Sequence, residues 1–312
     1  MSAAGARRCG DRAEARRSPI SATTTVTAAR VRDGLSFAGG RTTLDHMPFV
    51  DLEDRRIYVE DTGAGPPVLL VPGTGARGHT WTEQVHALVA AGYRAVTMDN
   101  RGSGRSGPVP PRLTVTDLLT DVRDVAKRLF DEPYRLVGHS MGAYVVQEHL
   151  CAGPPVTQAA LFASRARPDA FSARLAAAER ALHDAAPEIP AAYDAVVRAA
   201  LNLSPHTLAD DAEVSTWLDL FELTPRDPHD AGRKAQSTVD WDCDRRADYA
   251  RITCECLVVS FTDDMLAPPA AGRELARAIP GASFVEVGRA GHIGMLERPD
   301  EVNSTLLEFF GE

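Results

Sequence analysis

Long apolar runs, lysine and paired cysteine motifs are scarce in this chain of 312 residues. No segment approaches the ~18 consecutive apolar residues that suggest a membrane-spanning helix, so we expect no membrane span. Lysine occurs only at Lys127 and Lys234 and the formal net charge is −9, which argues against a nucleic-acid-binding surface. The five cysteines are irregularly spaced and lack a zinc-site pattern, so we expect no metal and a reducing, cytoplasmic location.

Residues 1–46 differ in composition from the rest of the chain. They hold eight arginines against four acidic residues, are rich in Ala, Thr, Ser and Gly, and show neither helical nor strand periodicity. Such a segment buries too little apolar surface to offset the entropy of ordering, which predicts a disordered N-terminal tail. Met47 directly precedes the first strand-like run, so a translation start at Met1 or at Met47 stays open.

From residue 47 onwards, apolar strand-like runs such as residues 67–71 alternate with segments of helical periodicity. This alternation predicts an α/β core with a mostly parallel sheet covered by helices on both faces, formed by residues 47–164 and 251–312. Residues 165–250 interrupt the alternation with several helical faces and no strand, which predicts a helical insertion.

The pentapeptide Gly-His-Ser-Met-Gly at residues 138–142 is the most informative motif. It lies where a predicted strand ends and a predicted helix begins, which is the context of a G-x-S-x-G nucleophile elbow. The sharp turn holds the serine hydroxyl above the sheet, and the flanking glycines leave room for the neighbouring chain. We therefore predict that Ser140 is a nucleophile.

A nucleophilic serine needs a base, and the base needs an orienting acid. His292 follows the last predicted strand, and Asp263 and Asp264 follow the strand before it, which gives the chain order Ser, Asp, His. We favour Asp264 because it begins an Asp-x-x-x-Pro turn, while Asp263 stays open and Asp169 is the next candidate. The predicted catalytic residues are Ser140, Asp264 and His292.

Acyl transfer also needs hydrogen-bond donors at the point where negative charge develops. The sequence Val-Pro-Gly-Thr-Gly at residues 71–75 follows a predicted strand, and Met141 begins the helix after the serine. We predict that the backbone N–H groups of Thr74 and Met141 form an oxyanion hole.

Together these motifs resemble the α/β-hydrolase-fold serine hydrolases over residues 47–312. The resemblance also includes Asp-Asn-Arg-Gly-Ser-Gly-Arg-Ser at residues 99–106, Asp264 with Pro268, and Gly291-His292 with Glu297 and Pro299. It implies an eight-stranded, mostly parallel sheet whose first strand is antiparallel, and a helical lid at residues 165–250. Pro72 and Glu255 depart from the family pattern, at the oxyanion loop and at the start of the seventh strand.

The motifs and the resemblance together predict a serine hydrolase that forms an acyl-enzyme from a small to medium, largely apolar ester, lactone or thioester. Neither a metal nor an organic cofactor is expected, and the partner is a small molecule; a homodimer is left open. C–C bond hydrolysis, perhydrolysis, acyl transfer, elimination and cyclisation are alternatives, because the fold does not select among them. A non-catalytic small-molecule receptor is an alternative of another class.

Aromatic residues of the predicted lid are the candidates for substrate contacts. They are Phe171, Tyr193, Trp217 and Phe221, with Trp241 as a further candidate. Each of them also suits a role in the packing of the lid itself.

A dinucleotide-binding oxidoreductase is the rival hypothesis. Gly73, Gly75 and Gly78 follow a predicted strand with Gly-x-Gly-x-x-Gly spacing, and Asp99 ends the next strand, as in a nucleotide-binding βαβ unit. This hypothesis leaves the serine, aspartate and histidine motifs unexplained, so we favour the hydrolase.

Overall fold

The computed structural model describes residues 48–185, 188–226, 230–237, 239–241 and 243–311. The predicted N-terminal tail and Met47 lie outside the described residues. Within these ranges, no helix combines the length and the apolar character that crossing a membrane requires.

Eight strands form the centre of the described chain. The strands are β1 (Phe49–Asp51), β2 (Arg56–Gly63), β3 (Pro67–Val71), β4 (Arg94–Met98), β5 (Tyr134–His139), β6 (Val156–Phe162), β7 (Glu255–Phe261) and β8 (Ser283–Val287). They build one sheet in the order β1-β2-β4-β3-β5-β6-β7-β8. In this order, the neighbouring strands β4, β3, β5, β6, β7 and β8 are all parallel to one another, whereas β2 is antiparallel to both β1 and β4. The prediction of an eight-stranded, mostly parallel sheet is confirmed. The resemblance implied that the first strand is antiparallel to the others, but the antiparallel strand is β2.

Helices connect these strands. They are α1 (Thr82–Ala90), α2 (Val115–Leu129), α3 (Met141–Leu150), α4 (Ala170–Ala185), α5 (Ala191–Asn202), α6 (Pro205–Leu208), α7 (Asp211–Leu223), α8 (Ala231–Gln236), α9 (Arg246–Tyr249), α10 (Pro269–Ala278), α11 (Gly294–Glu297) and α12 (Pro299–Gly311), with a short 3-10 helix at Gly78–Trp81.

Two apolar clusters lie on opposite faces of the sheet. Leu69 and Val71 of β3 belong to one cluster, together with residues of α2, α3 and α10. Val68 and Leu70 belong to the other cluster, together with residues of α1 and α12. Because successive side chains of a strand point to opposite faces, this division confirms that helices cover the sheet on both sides.

The helix starts follow local side-chain chemistry. Thr114 precedes α2 and accepts a hydrogen bond from the Asp117 N–H at 3.1 Å, and the Asp117 carboxylate accepts the Thr114 N–H at 2.8 Å. Asp210 precedes α7 and accepts the N–H groups of Ala212 and Glu213. These contacts satisfy N–H groups that the first turn of a helix leaves without partners.

Between β6 and β7 the described residues are helical or irregular and contain no strand, as the sequence pattern predicted. We call residues 165–250 the helical insertion. In the chain, its helices α4 to α9 come between β6, which Arg165 follows, and β7, which Asp264 follows. The insertion therefore begins at the carboxyl edge of the sheet, where the candidate site lies.

Candidate active site

Ser140 stands between β5 and α3 in a backbone conformation that non-glycine residues rarely adopt. Its φ is 54° and its ψ is −118°. The strain is held in place because the Ser140 N–H donates to the Phe162 carbonyl of the neighbouring strand at 2.9 Å. The turn directs the side chain away from the strand, which is the geometry of a nucleophile elbow.

The two glycines of the pentapeptide permit this turn. A Cβ on Gly142 would lie 2.2 Å from the Val71 carbonyl oxygen, and one on Gly138 would lie 2.6 Å from the Ala143 Cα. Both contacts are with backbone, which cannot move aside. The spacing of glycines around the serine is therefore a packing requirement of this turn.

The three predicted side chains meet at the carboxyl edge of the sheet. The Ser140 Oγ lies 3.0 Å from His292 Nε2, and His292 Nδ1 lies 2.9 Å from Asp264 Oδ2. The second Asp264 oxygen accepts the N–H groups of Leu266 and Ala267 at 2.8 and 2.9 Å. Because a carboxylate only accepts hydrogen bonds, the proton of the imidazole is assigned to Nδ1, which leaves Nε2 to accept from the serine.

The environment of Asp264 keeps it ionised although its side chain is buried. Burial acts to raise the pKa of Asp264, but its electrostatic interaction and hydrogen bond with His292 and the N–H groups of Ala267 and Leu266 outweigh burial and lower it below the usual value. A charged Asp264 holds the histidine in the orientation that faces Ser140.

The two alternative acids lie elsewhere. The buried Asp263 Oδ2 has no hydrogen-bond partner among the described residues, and the Asp263 N–H donates to the Ala290 carbonyl. Asp169 accepts the Ser172 N–H at 2.8 Å and pairs with Arg165 at 3.4 Å. Of the three acids considered from the sequence, Asp264 is the one that contacts His292.

The predicted oxyanion donors lie beside this array. Thr74 follows β3, Met141 begins α3, and both line the same cavity as Ser140 and His292. The next residue, Gly75, donates its N–H to the Gln236 side chain at 2.7 Å. Gln236 is the last residue of α8 and is buried, so the helical insertion directly contacts the loop that carries the predicted oxyanion donor Thr74. No local pattern of the sequence pointed to Gln236.

Glu297 fixes the loop that carries the histidine. One of its oxygens accepts the Gly291 N–H at 2.6 Å. The other accepts the Ser204 N–H at 2.8 Å and the Thr207 hydroxyl at 2.6 Å. The Glu297 side chain is 6% exposed, so these three donors replace the water that it loses.

His139, the last residue of β5, also contacts the loop that carries His292. Its Nε2 lies 2.8 Å from the His292 carbonyl oxygen, and the two rings are 5.0 Å apart. Burial, with a smaller electrostatic contribution from the neighbouring His292, lowers the pKa of His139 to about 3. The neutral ring therefore donates from Nε2 to the carbonyl oxygen.

A cavity of about 330 Å³ opens in front of Ser140. Its apolar walls include Leu175, Val197, Leu201, Val239, Trp241 and Ile293. Tyr144 also lines it and packs edge-on against Trp241, with ring centroids 4.6 Å apart. Trp241 is thus the aromatic candidate that the structure places at the cavity.

The other four aromatic candidates do not line this cavity. Phe171 and Tyr193 are 51% and 61% exposed, on the outer surface of α4 and α5. Trp217 and Phe221 are 7% and 1% exposed and pack against each other at 5.7 Å. The expectation of substrate contacts is corrected here for two reasons. Phe171 and Tyr193 are exposed away from the cavity, and the packing of α7 on α5 holds Trp217 and Phe221 inside the insertion.

The acidic residue of the rival dinucleotide hypothesis is already occupied. Asp99 is 3% exposed, and its carboxylate accepts the Gly78 N–H at 2.8 Å and the Arg105 N–H at 3.0 Å. The glycines are followed by a 3-10 turn instead of the long helix that binds a pyrophosphate. Asp99 therefore anchors the loop after β4, and the hypothesis of a dinucleotide site is not supported.

Comparison with known proteins agrees with this architecture. The pattern of the alpha/beta hydrolase family matches residues 68–305, and the chain belongs to that family.

Among its relatives is the Mycobacterium tuberculosis protein named "Putative non-heme bromoperoxidase BpoC", 38% identical over 253 residues, or 80% of this chain and 96% of the relative. The "Putative carbamate hydrolase RutD" of Azorhizobium caulinodans is 30% identical over 271 residues, or 85% of this chain and 99% of the relative.

Solved structures give the same result. The crystal structure of the BpoC protein from Mycobacterium tuberculosis H37Rv superposes with a TM-score of 0.78 at 35% identity, covering 86% of this chain and 98% of that one. The enol-lactonase from Burkholderia xenovorans LB400 superposes with a TM-score of 0.66 at 26% identity, covering 85% and 100%.

Proposed function

We propose that the chain is a serine hydrolase that cleaves an ester, lactone or thioester of a small to medium acyl compound. The observation that carries the proposal is the continuous contact from Ser140 Oγ through His292 to the ionised Asp264, at the mouth of a cavity. A nucleophile, a base and an orienting acid in hydrogen-bond reach are the recurring elements of acyl transfer.

In the proposed reaction the Ser140 oxygen attacks the acyl carbonyl carbon while His292 Nε2 takes the hydroxyl proton. The carbonyl electron pair moves to oxygen, where the N–H groups of Thr74 and Met141 stabilise it. Collapse of this intermediate expels the alcohol or thiol, which takes the proton from His292. Water then attacks the acyl-enzyme with the same histidine as base, which releases the acid and restores the serine.

We propose that the helical insertion acts as a lid over this cavity. Val197 and Leu201 of α5, with Val239 and Trp241, form apolar walls of the cavity, and all four belong to the helical insertion. A cavity of about 330 Å³ lies at the lower end of the usual range for small-molecule sites, which suits a small acyl compound.

Active-site labelling tests the proposal. A fluorophosphonate probe should modify the full-length protein at Ser140, and Ser140→Ala should abolish both labelling and turnover of p-nitrophenyl esters, acyl thioesters or lactones. A loss of ~10⁶ in kcat is typical when such a nucleophile is removed. Full activity of Ser140→Ala on an accepted substrate would refute the covalent mechanism, and absence of labelling in the native protein would favour a receptor.

The name of the BpoC relative favours perhydrolysis as a second candidate. In that reaction hydrogen peroxide attacks the acyl-enzyme in place of water and releases a peroxy acid and free Ser140. Peroxy acid formation from an ester and hydrogen peroxide, measured by oxidation of bromide, tests it. Peroxy acid formed by Ser140→Ala at the native rate would exclude this route.

A further inference from the structure

The walls of the cavity carry arginine but no acidic residue. Arg165, Arg167, Arg198 and Arg226 line it, whereas no Asp or Glu side chain of the described ranges does. The whole chain has a formal net charge of −9, so the sign of charge at the cavity is opposite to that of the protein. Low-dielectric walls of one sign concentrate ligands of the other sign.

Arg165 lines the cavity from the loop after β6, the strand next to the nucleophile elbow. It follows β6, whose Phe162 carbonyl accepts the Ser140 N–H. The loop is held on α3 because Gln147 donates to the Arg165 carbonyl at 3.1 Å and accepts the Ser164 hydroxyl at 2.6 Å. Arg165 therefore occupies a fixed position beside the elbow.

The positive charge of the Arg165 guanidinium has only one weak ion pair with the described part of the protein. Its side chain is 31% exposed, and its ion pair with Asp169 is long, at 3.4 Å, with one nitrogen. Asp169 also accepts the Ser172 N–H at the start of α4. A guanidinium offers five N–H donors, and no other hydrogen bond to this group is found among the described residues. Burial lowers the pKa of Arg165 and outweighs the charges of Asp169 and Asp264, which act to raise it.

The other arginines have established partners. Arg198 and Arg226 both pair with Asp194, so two cations share one carboxylate. Arg198 also donates to the carbonyls of Phe221 and Thr224. Arg167 pairs with Glu274, at 2.9 Å. Arg198 and Arg226 contribute positive charge around the cavity. Arg167 pairs through Nε alone and is 42% exposed, so it also has donors left, but Arg165 follows β6 more closely and its backbone is held on α3.

On the basis of the hydrolase function proposed above, we propose that the substrate carries a carboxylate and that Arg165 binds it. The planar fork of a guanidinium matches the two oxygens of a carboxylate and would fix the acyl compound with its carbonyl at Ser140. The apolar walls would hold the chain between the two groups. A free amine or quaternary ammonium substrate is disfavoured by the same arginines.

Matched esters test this assignment. 4-Nitrophenyl glutarate carries a free carboxylate on the acyl side, and its primary amide analogue is neutral and of similar size. 3-Carboxyphenyl butyrate and 3-carbamoylphenyl butyrate form the same comparison on the leaving-group side. The full-length protein should prefer the charged ester of at least one pair by about tenfold or more in kcat/KM, the range expected for a hydrogen bond to a charged group.

Arg165→Gln should reduce that preference to about one, and Arg165→Lys should retain part of it, because it keeps the charge but loses the fork. Arg251→Gln is the matched control, since Arg251 is exposed and pairs with Asp248 away from the cavity. Equal kcat/KM for charged and neutral esters in both pairs, or an unchanged preference in Arg165→Gln, would overturn the assignment.

Binding without turnover separates this assignment from the hydrolase function. Glutarate titrated into Ser140→Ala by calorimetry should bind, and it should bind at least about tenfold more weakly to Ser140→Ala with Arg165→Gln. Arg165-dependent glutarate binding without Ser140-dependent ester cleavage would support the anion site and refute the hydrolase. Ser140-dependent cleavage with no effect of charge or of Arg165 would refute the anion site alone.

Discussion

Gln236 accepts the Gly75 N–H with its side-chain oxygen at 2.7 Å. Its amide nitrogen donates to the Arg101 carbonyl at 2.8 Å and to the Ser103 hydroxyl at 2.9 Å. One buried side chain of the helical insertion thus connects two loops at the carboxyl edge of the sheet. Because Gly75 follows Thr74, Gln236 is positioned to fix the direction of the proposed oxyanion donor.

Gln236→Leu should lower kcat by about tenfold or more and change KM little. The substitution leaves the Gly75 N–H and the Arg101 carbonyl buried without their partner, which costs ~1–3 kcal/mol for each such group unless the loop moves to reach water. A moved loop would misdirect the Thr74 N–H, and in the proposed mechanism this donor acts on the transition state rather than on the bound substrate. Steady-state and burst kinetics with an accepted ester measure both effects.

Gln236→Glu and Lys234→Leu complete this experiment. The glutamate still accepts from Gly75 but cannot donate to Arg101, so we expect an intermediate kcat. Lys234 is an exposed residue of the same helix, and its substitution should leave kcat unchanged. If Gln236→Leu kept the native kcat and lost only thermal stability, Gln236 would be structural and would not position the oxyanion loop.

Asp264→Asn should lower kcat by ~10⁴ with little effect on the melting temperature. The amide retains the shape of the carboxylate but favours the wrong imidazole tautomer, so His292 no longer presents a free Nε2 to Ser140. Asp263→Asn is the matched control because Asp263 does not contact His292, and we expect a far smaller loss. The reverse ranking of the two variants, measured with the same ester, would assign the acid to Asp263.

The core of the fold was predictable because local patterns determine it. Continuous apolar runs gave β3 and β7, and the serine motif between a strand and a helix located the elbow at Ser140. Glu255 begins β7 and pairs with Gln158 in register, so its departure from the family pattern does not prevent the strand. The positions of Asp264 and His292 followed from strand ends, which parallel sheets bring to one edge.

The remaining parts of the site depend on contacts between distant segments. Gln236 is 161 residues from Gly75 in the chain, and no short-range pattern signals such a contact. The aromatic residues of the insertion illustrate the same limit, because the hydrophobic face of a helix does not reveal whether it meets another helix or a cavity. Trp217 packs inside the insertion against Phe221, whereas Trp241 lines the cavity. The position of Arg165 just beyond the end of β6 is a feature of the sequence that could have indicated its place at the site.

Glu297→Gln should destabilise the fold and slow catalysis together. The carboxylate accepts three hydrogen bonds, from Gly291, Ser204 and Thr207. An amide has one accepting oxygen, so its NH₂ group would face at least one of these donors, at a cost of ~1–3 kcal/mol. Denaturant unfolding and ester kinetics of the variant measure the two losses.

Glu301→Gln, at an exposed acidic residue in the first turn of α12, is the control for charge removal. It should leave kcat unchanged and cost at most the ~0.3–1 kcal/mol of a charge at a helix N-terminus. A Glu297→Gln protein with native stability would show that water or a rearranged loop satisfies these donors equally well. A native kcat of Glu297→Gln would show that the connection between the histidine loop and α6 is not required for activity.

His139 should make the protein lose stability in mild acid. Burial and the electrostatic effect of the neighbouring His292 lower its folded-state pKa to about 3, whereas an unfolded histidine titrates near ~6.5. Between these values the unfolded chain binds a proton that the folded chain does not, so the free energy of unfolding falls as the pH drops. Its contribution is fully present above about pH 6.5 and is lost progressively towards about pH 3.

His139→Gln keeps a donor for the His292 carbonyl and removes this titration. The decrease in unfolding free energy from pH 7 to pH 5 should be smaller in the variant than in the native protein by about 2 kcal/mol. His149→Gln should flatten the slope in the same way, because burial lowers the pKa of His149 to about 4. Exposed His86→Gln serves as the control for the substitution itself. Urea unfolding at both pH values measures these slopes, and a native slope in His139→Gln would mean that the His139 ring accepts a proton in the folded protein.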